Sequence, residues 1–401
     1  MVNLEELKYR LRSLTVFEDL RNDPVIDSLC AFLFWIGESD SQAEQIEFYS
    51  SFVSAIFKSE SGHLGRYIES ICCDCENVYV KQIGSGHTPN RHIISATKTE
   101  LQTLQMVAEL TKGDLCGSME CRSYLPSFPS GEVDVAASFA HRTENIGKYG
   151  YGLYAKNRMF YIDEQSAIVP VKHPDATTLS SLVDYEAERQ IVIDNTKALL
   201  AGKPAANILL TGDAGTGKSS TVKAVVNELH GEGLRIIEVR KDQLCAIPRI
   251  LDELANNPLK FILFIDDLSF LKDDDNFNAL KAVLEGSVSA KSRNVVIYAT
   301  SNRRHIIKEK FSDREGDDVH RNETLQELIS LSERFGIHIT FGKPTKQTYL
   351  NIVKHLATEA GISMDDKELE LLAERFALSR GGRSARLARQ FVDGLISSQN
   401  E

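Results

Sequence analysis

The chemistry of this 401-residue chain concentrates in one octet, Gly212-Asp213-Ala214-Gly215-Thr216-Gly217-Lys218-Ser219. It matches G-x-x-x-x-G-K-[ST] at every required place. An apolar run, NILLT, leads into it and SSTVKAVVNEL follows, so the loop joins a predicted strand to a predicted helix. Glycines there let the backbone wrap close to phosphates, and the amides and the helix N-terminus face anionic oxygens. On this reading Lys218 reaches the β- and γ-phosphates of a nucleoside triphosphate, the Ser219 hydroxyl ligates Mg²⁺, and Ser220 completes the cradle. The bland alternative, a glycine-rich turn with a chance lysine, does not account for the strand before it and the helix after it.

Such a site needs a carboxylate at the end of a neighbouring strand. Phe261-Ile-Leu-Phe-Ile265 is a run of buried-strand type, and Asp266 and Asp267 emerge at its carboxyl end. Asp266 is the expected second Mg²⁺ residue, and Asp267 is placed to polarise an attacking water. An Asp at a strand end is also a common helix N-cap, which is the competing explanation. No Asn-Lys-x-Asp tetrapeptide of the guanine-reading kind occurs, so ATP is the expected nucleotide.

The elements that must position these residues follow from periodicity. Strands are predicted at Asn207–Thr211, Arg235–Val239, Phe261–Ile265, Val295–Thr300 and Ile337–Phe341, separated by helices; that alternation predicts a parallel sheet covered by helices. An amphipathic helix over Leu182–Leu200 precedes them, and residues 346–401 read as helices only. Residues 1–70 read as helical, from the stripe Leu4, Leu7, Leu11 and Leu14 onward. Residues 82–96 read as a loop, Thr97–Leu110 as a helix, and Gly152–Val171 as a small β element. A boundary is expected at Lys172–Thr178. Trp35, the single tryptophan, is expected in the core rather than in a binding site.

Composition narrows the class. Hydrophobic residues make up 42% and charged residues 26%, values of a globular chain with an ample core. No apolar run has the length of a spanning helix, and the first ten residues have no secretory h-region; the cytoplasm is the expected location. The net charge of −11 sits mostly in residues 1–200, which hold 18 Lys+Arg against 28 Asp+Glu. That balance argues against this half tracking a phosphate backbone. The seven cysteines include Cys72, Cys73, Cys75, Cys116 and Cys121. Their spacing is poor for structural zinc, so free thiols are the first reading and a metal site the alternative.

Beyond the octet and the acidic strand, the order of motifs resembles AAA+ ATPases. Val295-Val-Ile-Tyr-Ala-Thr300-Ser301-Asn302 resembles their sensor-one strand, with Asn302 as the residue that orients the lytic water. Ser330-Leu-Ser-Glu-Arg334-Phe335-Gly336 resembles the arginine-finger segment of replication initiators and branch-migration helicases, which implies that Arg334 reaches the γ-phosphate of a neighbouring subunit. Arg383-Ser-Ala-Arg386-Leu-Ala-Arg389 resembles the sensor-two motif, with Arg386 first choice and Arg383 second. Residues 177–401 as a whole resemble an uncharacterised bacterial AAA+ ATP-binding family, through stretches such as Asn195–Pro204, Gly233–Val239, Phe261–Phe270 and Ala299–His305. The resemblance implies an AAA+ P-loop α/β fold with a helical lid, preceded by a mostly helical N-terminal region with a small β element. The implied divisions are 1–176, 177–343 and 344–401. ATP and Mg²⁺ are the implied cofactors, and a ring or dimer the implied assembly.

Three departures qualify it. Asp184 stands where many AAA+ proteins carry a glycine beside adenine. Asp267 replaces the commoner Glu. Lys241–Pro248 holds no aromatic pore loop of the peptide-threading kind. Arg303, Arg304 and His305 fit either a contact with phosphate or a neighbouring subunit, or a basic helix start with no catalytic part. The expected function is an ATPase that remodels, loads or regulates a partner chosen by the N-terminal region. The alternatives are a low-turnover ATP-dependent switch and a DNA-associated motor; the acidity and the lack of a DNA-binding module stand against the motor. On any of these readings Lys218→Ala abolishes nucleotide binding, and tight ATP binding retained by that variant in a filter or fluorescence assay refutes the phosphate-loop assignment.

Overall fold

A computed structural model describes residues 3–38, 41–117, 123–268, 275–285, 293–302 and 333–399. Cys121, Arg303, Arg304, His305, the start of the Ser330–Gly336 segment and the charge-rich run Lys308–Glu327 lie outside them. The chain divides into two compact units, residues 1–156 with 256–258, and residues 157–255 with 259–401.

The first unit is helical among its described residues. Pro24 opens the helix Pro24–Glu38, where its missing N–H costs nothing. Gln42–Lys58 follows, burying Tyr49, Phe52, Val53 and Ile56. Trp35 stacks on Phe48 with ring centroids 5.6 Å apart. The segment expected to be a loop over residues 82–96 is shorter, because Asn90 accepts from His92 N–H and Ile93 N–H and starts the helix Arg91–Ala108 six residues early. Glu100 on that helix is 7% exposed. Its carboxylate accepts from the Thr15, Val16 and Phe17 backbone amides and from the Thr15 hydroxyl.

The cysteines of this unit behave as interior thiols. Burial pushes the Cys73 and Cys75 thiols up to about 11 and raises Cys72 well above its usual value. Among the described residues no group of His, Cys, Asp or Glu is placed to hold a metal ion, and Cys30, Cys72, Cys73, Cys75, Cys116 and Cys245 form no disulfide.

The second unit is built on a seven-stranded sheet in the order β2-β1-β4-β5-β6-β3-β7. The strands are β1 (Met159–Ile162), β2 (Ile168–Pro170), β3 (Ile208–Gly212), β4 (Leu234–Glu238), β5 (Lys260–Ile265), β6 (Val295–Ser301) and β7 (Ile337–Phe341). All neighbours are parallel except β1 and β2. The small β element that the sequence pattern attaches to the N-terminal region therefore extends this sheet, with Phe160 opposite Ile237. The phosphate-loop strand β3 lies inside it, between β6 and β7.

The central strands β3, β4, β5 and β6 are buried on both faces, as parallel strands inside a sheet are. Phe261, Ile262, Leu263, Phe264 and Ile265 of β5 are all fully buried. The helix Glu186–Leu200 is pinned to it by polar contacts: Asn195 Nδ2 donates to the Tyr298 hydroxyl at 2.9 Å, and the Thr196 and Tyr298 hydroxyls lie 2.8 Å apart. Asn195 also bonds both backbone groups of Ala206, which sets the entry into β3. After β7 come three helices, Lys346–Glu359, Asp366–Ser379 and Ala385–Gln399, around Tyr349, Leu350, Val353, Ala373 and Phe391. Val183 packs against this cluster, while its near neighbour Tyr185 packs against the sheet core. Among the described residues no helix is long and apolar enough to cross a membrane.

Removing the Glu100 carboxylate strands four buried or half-buried donors. Glu100→Ala is expected to destabilise the first unit by about 3 kcal/mol, on the scale of buried hydrogen-bonding groups left unpaired, seen as a lower urea midpoint for its transition. An unchanged midpoint contradicts the anchoring role.

Candidate active site

Parallel register brings the ends of β3, β5 and β6 together. Thr211 sits opposite Ser301 and Ile265 opposite Ala299, so Gly212, Asp266 and Asn302 leave the sheet side by side. A crevice at the carboxyl ends of such strands is where parallel α/β sheets place their ligands.

Gly212 closes β3 with φ of 141°, and a Cβ there would collide with the Phe341 carbonyl oxygen across the β3–β7 pair. No side chain can replace it without moving β7. Gly215 and Gly217 also take positive φ, 79° and 92°, and Gly217 is the N-cap of the helix Lys218–Leu229. Thr216 is buried, its hydroxyl donating to the Asp213 carbonyl at 2.9 Å. Asp213 and Ala214 form the exposed crown of the loop, with the Asp213 carboxylate 3.7 Å from Lys343 Nζ.

Lys218 is only 5% exposed. Its ammonium donates to the Gly212 carbonyl at 2.9 Å, the Asp213 carbonyl at 2.8 Å and Asn302 Oδ1 at 3.0 Å. Burial lowers its pKa, opposed by the carboxylates of Asp266, Asp213 and Asp267, while the nearby Arg386 cation adds to the lowering. An anion in the loop would relieve this penalty.

Ser219 and Asp266 are already joined: the hydroxyl donates to Asp266 Oδ1 at 2.6 Å. The same oxygen accepts from the Thr300 hydroxyl at 2.5 Å and from Asp267 N–H at 3.2 Å. Asp267 is left-handed, with φ of 53°. A non-glycine residue in that region carries a strain of about 1–2 kcal/mol. Asn302 Nδ2 donates to Asp267 Oδ1 at 2.7 Å. The Asn302 amide thus joins Lys218 through its oxygen and Asp267 through its nitrogen. Ser220 lies one residue further along the helix, and its hydroxyl makes no hydrogen bond among the described residues.

The arginines separate. Arg386 lies over the loop: its Cβ is 3.1 Å from where a Gly215 Cβ would stand, and Ala385 N–H donates to the Gly215 carbonyl at 3.1 Å. Arg383 faces away into the lid, held by Glu374 through Nε at 2.9 Å and Nη2 at 2.8 Å. This fork holds the Glu374 carboxyl below its usual range, with Lys346 helping. Arg334 is not brought to the loop at all. It precedes β7, whose first residue Ile337 pairs with Ile208 at the far end of β3. Four residue steps along β3 separate that end from Gly212, roughly 13 Å. There Arg334 pairs with Glu285 at 2.5 Å.

Asp184, in the slot expected beside a base, and Tyr185 are both left-handed, with φ of 60° and 61°. The Tyr185 hydroxyl donates to the Gly342 carbonyl at 2.6 Å. Thr300 is the residue that motif reading passed over. In a buried strand a threonine reads as β-branched filler, and only the fold shows its hydroxyl against both acids.

Residues 155–399 match the family described as Protein of unknown function (DUF815), and the chain belongs to that family. No curated protein matches it. Among solved structures it is similar to the Thermotoga maritima RuvB Holliday junction branch migration motor, at 17% identity over 54% of this chain and 63% of that one, with a TM-score of 0.38. A point variant of the same motor gives 17% identity, 54% and 64% coverage, and a TM-score of 0.39. The chain thus spans under two thirds of those structures, and nothing of that motor's activity transfers from such scores. The parallel sheet, phosphate loop and trailing helices are the architecture expected of an AAA+ P-loop protein.

The two lid arginines should part under mutation. Arg383→Ala is expected to lower the melting temperature by freeing Glu374. Arg386→Ala is expected to leave melting unchanged and to weaken ATP binding about tenfold, the scale of one charge-assisted hydrogen bond. Calorimetric melting and ATP titration of both variants check this; the reverse pattern exchanges their roles.

Proposed function

We propose that this DUF815 chain is an ATPase that binds ATP·Mg²⁺ on the loop Gly212–Ser220 and hydrolyses it in an oligomer. The observation that carries the reading is the Asn302 amide, which ties the buried Lys218 ammonium to the Asp267 carboxylate. A lysine that spends its protons on two loop carbonyls and an amide oxygen is a cation held ready for anionic oxygens, and the glycine-shaped cradle fits a triphosphate. Ser219 and Asp266 offer the hard oxygen ligands that Mg²⁺ takes, and they already share a hydrogen bond. Bound there, the metal would neutralise charge on the phosphates.

The protein's own residues supply the rest. Lys218 and the loop amides bind and orient the phosphates. Asp267 accepts a proton from the attacking water or orients it, and Asn302 holds that carboxylate in place. Arg386 adds positive charge from the lid side. Phosphoryl transfer is catalysed mainly by such positioning and charge neutralisation.

Arg334 serves a different subunit on this reading. Its place at the opposite end of the sheet is too far for its own loop and suits presentation to a neighbour, where an arginine's planar fork matches a phosphate. The assembly is then a ring or dimer with sites shared between copies. The first unit selects the macromolecular partner, and the lid moves as nucleotide turns over.

The test is ATP turnover against protein concentration for the parent, Arg334→Ala, and an equimolar mixture of Arg334→Ala with Lys218→Ala. Turnover per subunit is expected to rise with concentration. Arg334→Ala is expected to bind ATP normally and to lose roughly 10³–10⁵ in rate, and the mixture to recover part of it. Normal hydrolysis by Arg334→Ala sinks the shared site. Tight binding with negligible, concentration-independent turnover by the parent points instead to a nucleotide switch.

A further inference from the structure

Thr300 is 2% exposed at the end of β6. Its hydroxyl lies 2.5 Å from Asp266 Oδ1 and 3.0 Å from Asp267 N, and its carbonyl accepts from Leu268 N–H at 2.7 Å. One residue therefore grips three consecutive residues of the turn after β5. The direction of each bond is forced: the Asp267 N–H can only donate, so the single threonine proton goes to the carboxylate.

Two features of the acids follow from this grip. Every hydrogen bond to the Asp266 carboxylate among the described residues, from Ser219, Thr300 and Asp267, falls on Oδ1. Oδ2 is left for something else. Asp267 holds a left-handed backbone that its surroundings must impose, and it is bracketed by the bonds from its own N–H to the Thr300 hydroxyl and from Leu268 N–H to the Thr300 carbonyl. Asn302 then catches the Asp267 side chain in the orientation this backbone produces.

We infer that Thr300 is a positioning residue for the hydrolysis proposed above. It anchors Asp266 Oδ1 so that Oδ2 faces the metal shell, and it sets the backbone that presents Asp267 to the water. The inference rests on that reading of Asp266 and Asp267. Partners in the outer shell of a metal site commonly govern affinity or activity by about 10–100-fold.

The experiment measures ATP turnover against Mg²⁺ concentration at saturating ATP, with KM for ATP and ATP binding in EDTA, for the parent, Thr300→Val, Thr300→Ser and Asp266→Asn. Valine keeps the shape and loses both hydroxyl bonds; serine keeps both. Thr300→Val is expected to need about tenfold more Mg²⁺ for half-maximal turnover and to lose about tenfold or more in kcat, with KM and metal-free binding unchanged. Thr300→Ser is expected to stay within about threefold of the parent, a rescue that a mere packing role predicts less well than valine. If Thr300→Val does not fold, Thr300→Ala is read the same way. A parental Mg²⁺ response in Thr300→Val or Thr300→Ala, beside a lost response in Asp266→Asn, overturns the role of Thr300 alone. A parental response in Asp266→Asn overturns the metal assignment and this inference with it.

Discussion

A buried ammonium organises the second unit. Lys218 lies almost wholly out of water, and an unpaired charge there is costly. The loop answers with two inward carbonyls, from Gly212 and Asp213, and β6 answers with the Asn302 amide oxygen. Turning those carbonyls inward takes positive φ at Gly212, and the loop needs it again at Gly215 and Gly217. That geometry forbids a Cβ at Gly212, because β7 presses the Phe341 carbonyl against it. The placement of β3 between β6 and β7 is therefore part of the lysine's solvation. An anion that entered the cradle would compete for the same protons, and the Asn302 amide also holds Asp267.

From that centre the constraints run outward in two directions. Toward the lid, the Gly215 carbonyl receives the N–H of Ala385, so the last helix begins on the phosphate loop itself. Arg386 lands over the loop, while Arg383 three residues earlier turns to Glu374 and locks the lid helices together. Toward the start of the strands, Arg334 pairs with Glu285 and stays at the sheet edge opposite the loop.

The first unit obeys a separate logic. Its core is helical and aromatic-rich, with Phe17, Phe32, Tyr49 and Phe52 fully buried. Among the described residues Glu100 is its one buried carboxylate, and it substitutes for backbone pairing by gathering the amides of Thr15, Val16 and Phe17. Nothing in its described cysteines amounts to a metal site. Its thiols are pushed up by burial, which is what packing alone produces.

The sequence by itself determined the local matters: the phosphate loop between a strand and a helix, the apolar run ending in Asp266 and Asp267, the βα alternation and the helical tail. These depend on neighbours along the chain, on glycine conformations and on periodicity, so they can be read without knowing the fold. It erred where a cap outweighed composition, as at Asn90, and it could not show that the local pair β1 and β2 joins the sheet through β1, which lies beside β4. Tertiary structure alone decided which side chains meet. Thr300 reached the Asp266 carboxylate and the Asp267 amide, and Arg334 fell at the opposite end of the strands, because strand order and register put them there, while helix packing parted Arg383 from Arg386. Register joins residues some 35 to 130 positions apart in the chain, among them Asp266 with Thr300 and Gly212 with Phe341, and no pattern of neighbours encodes it.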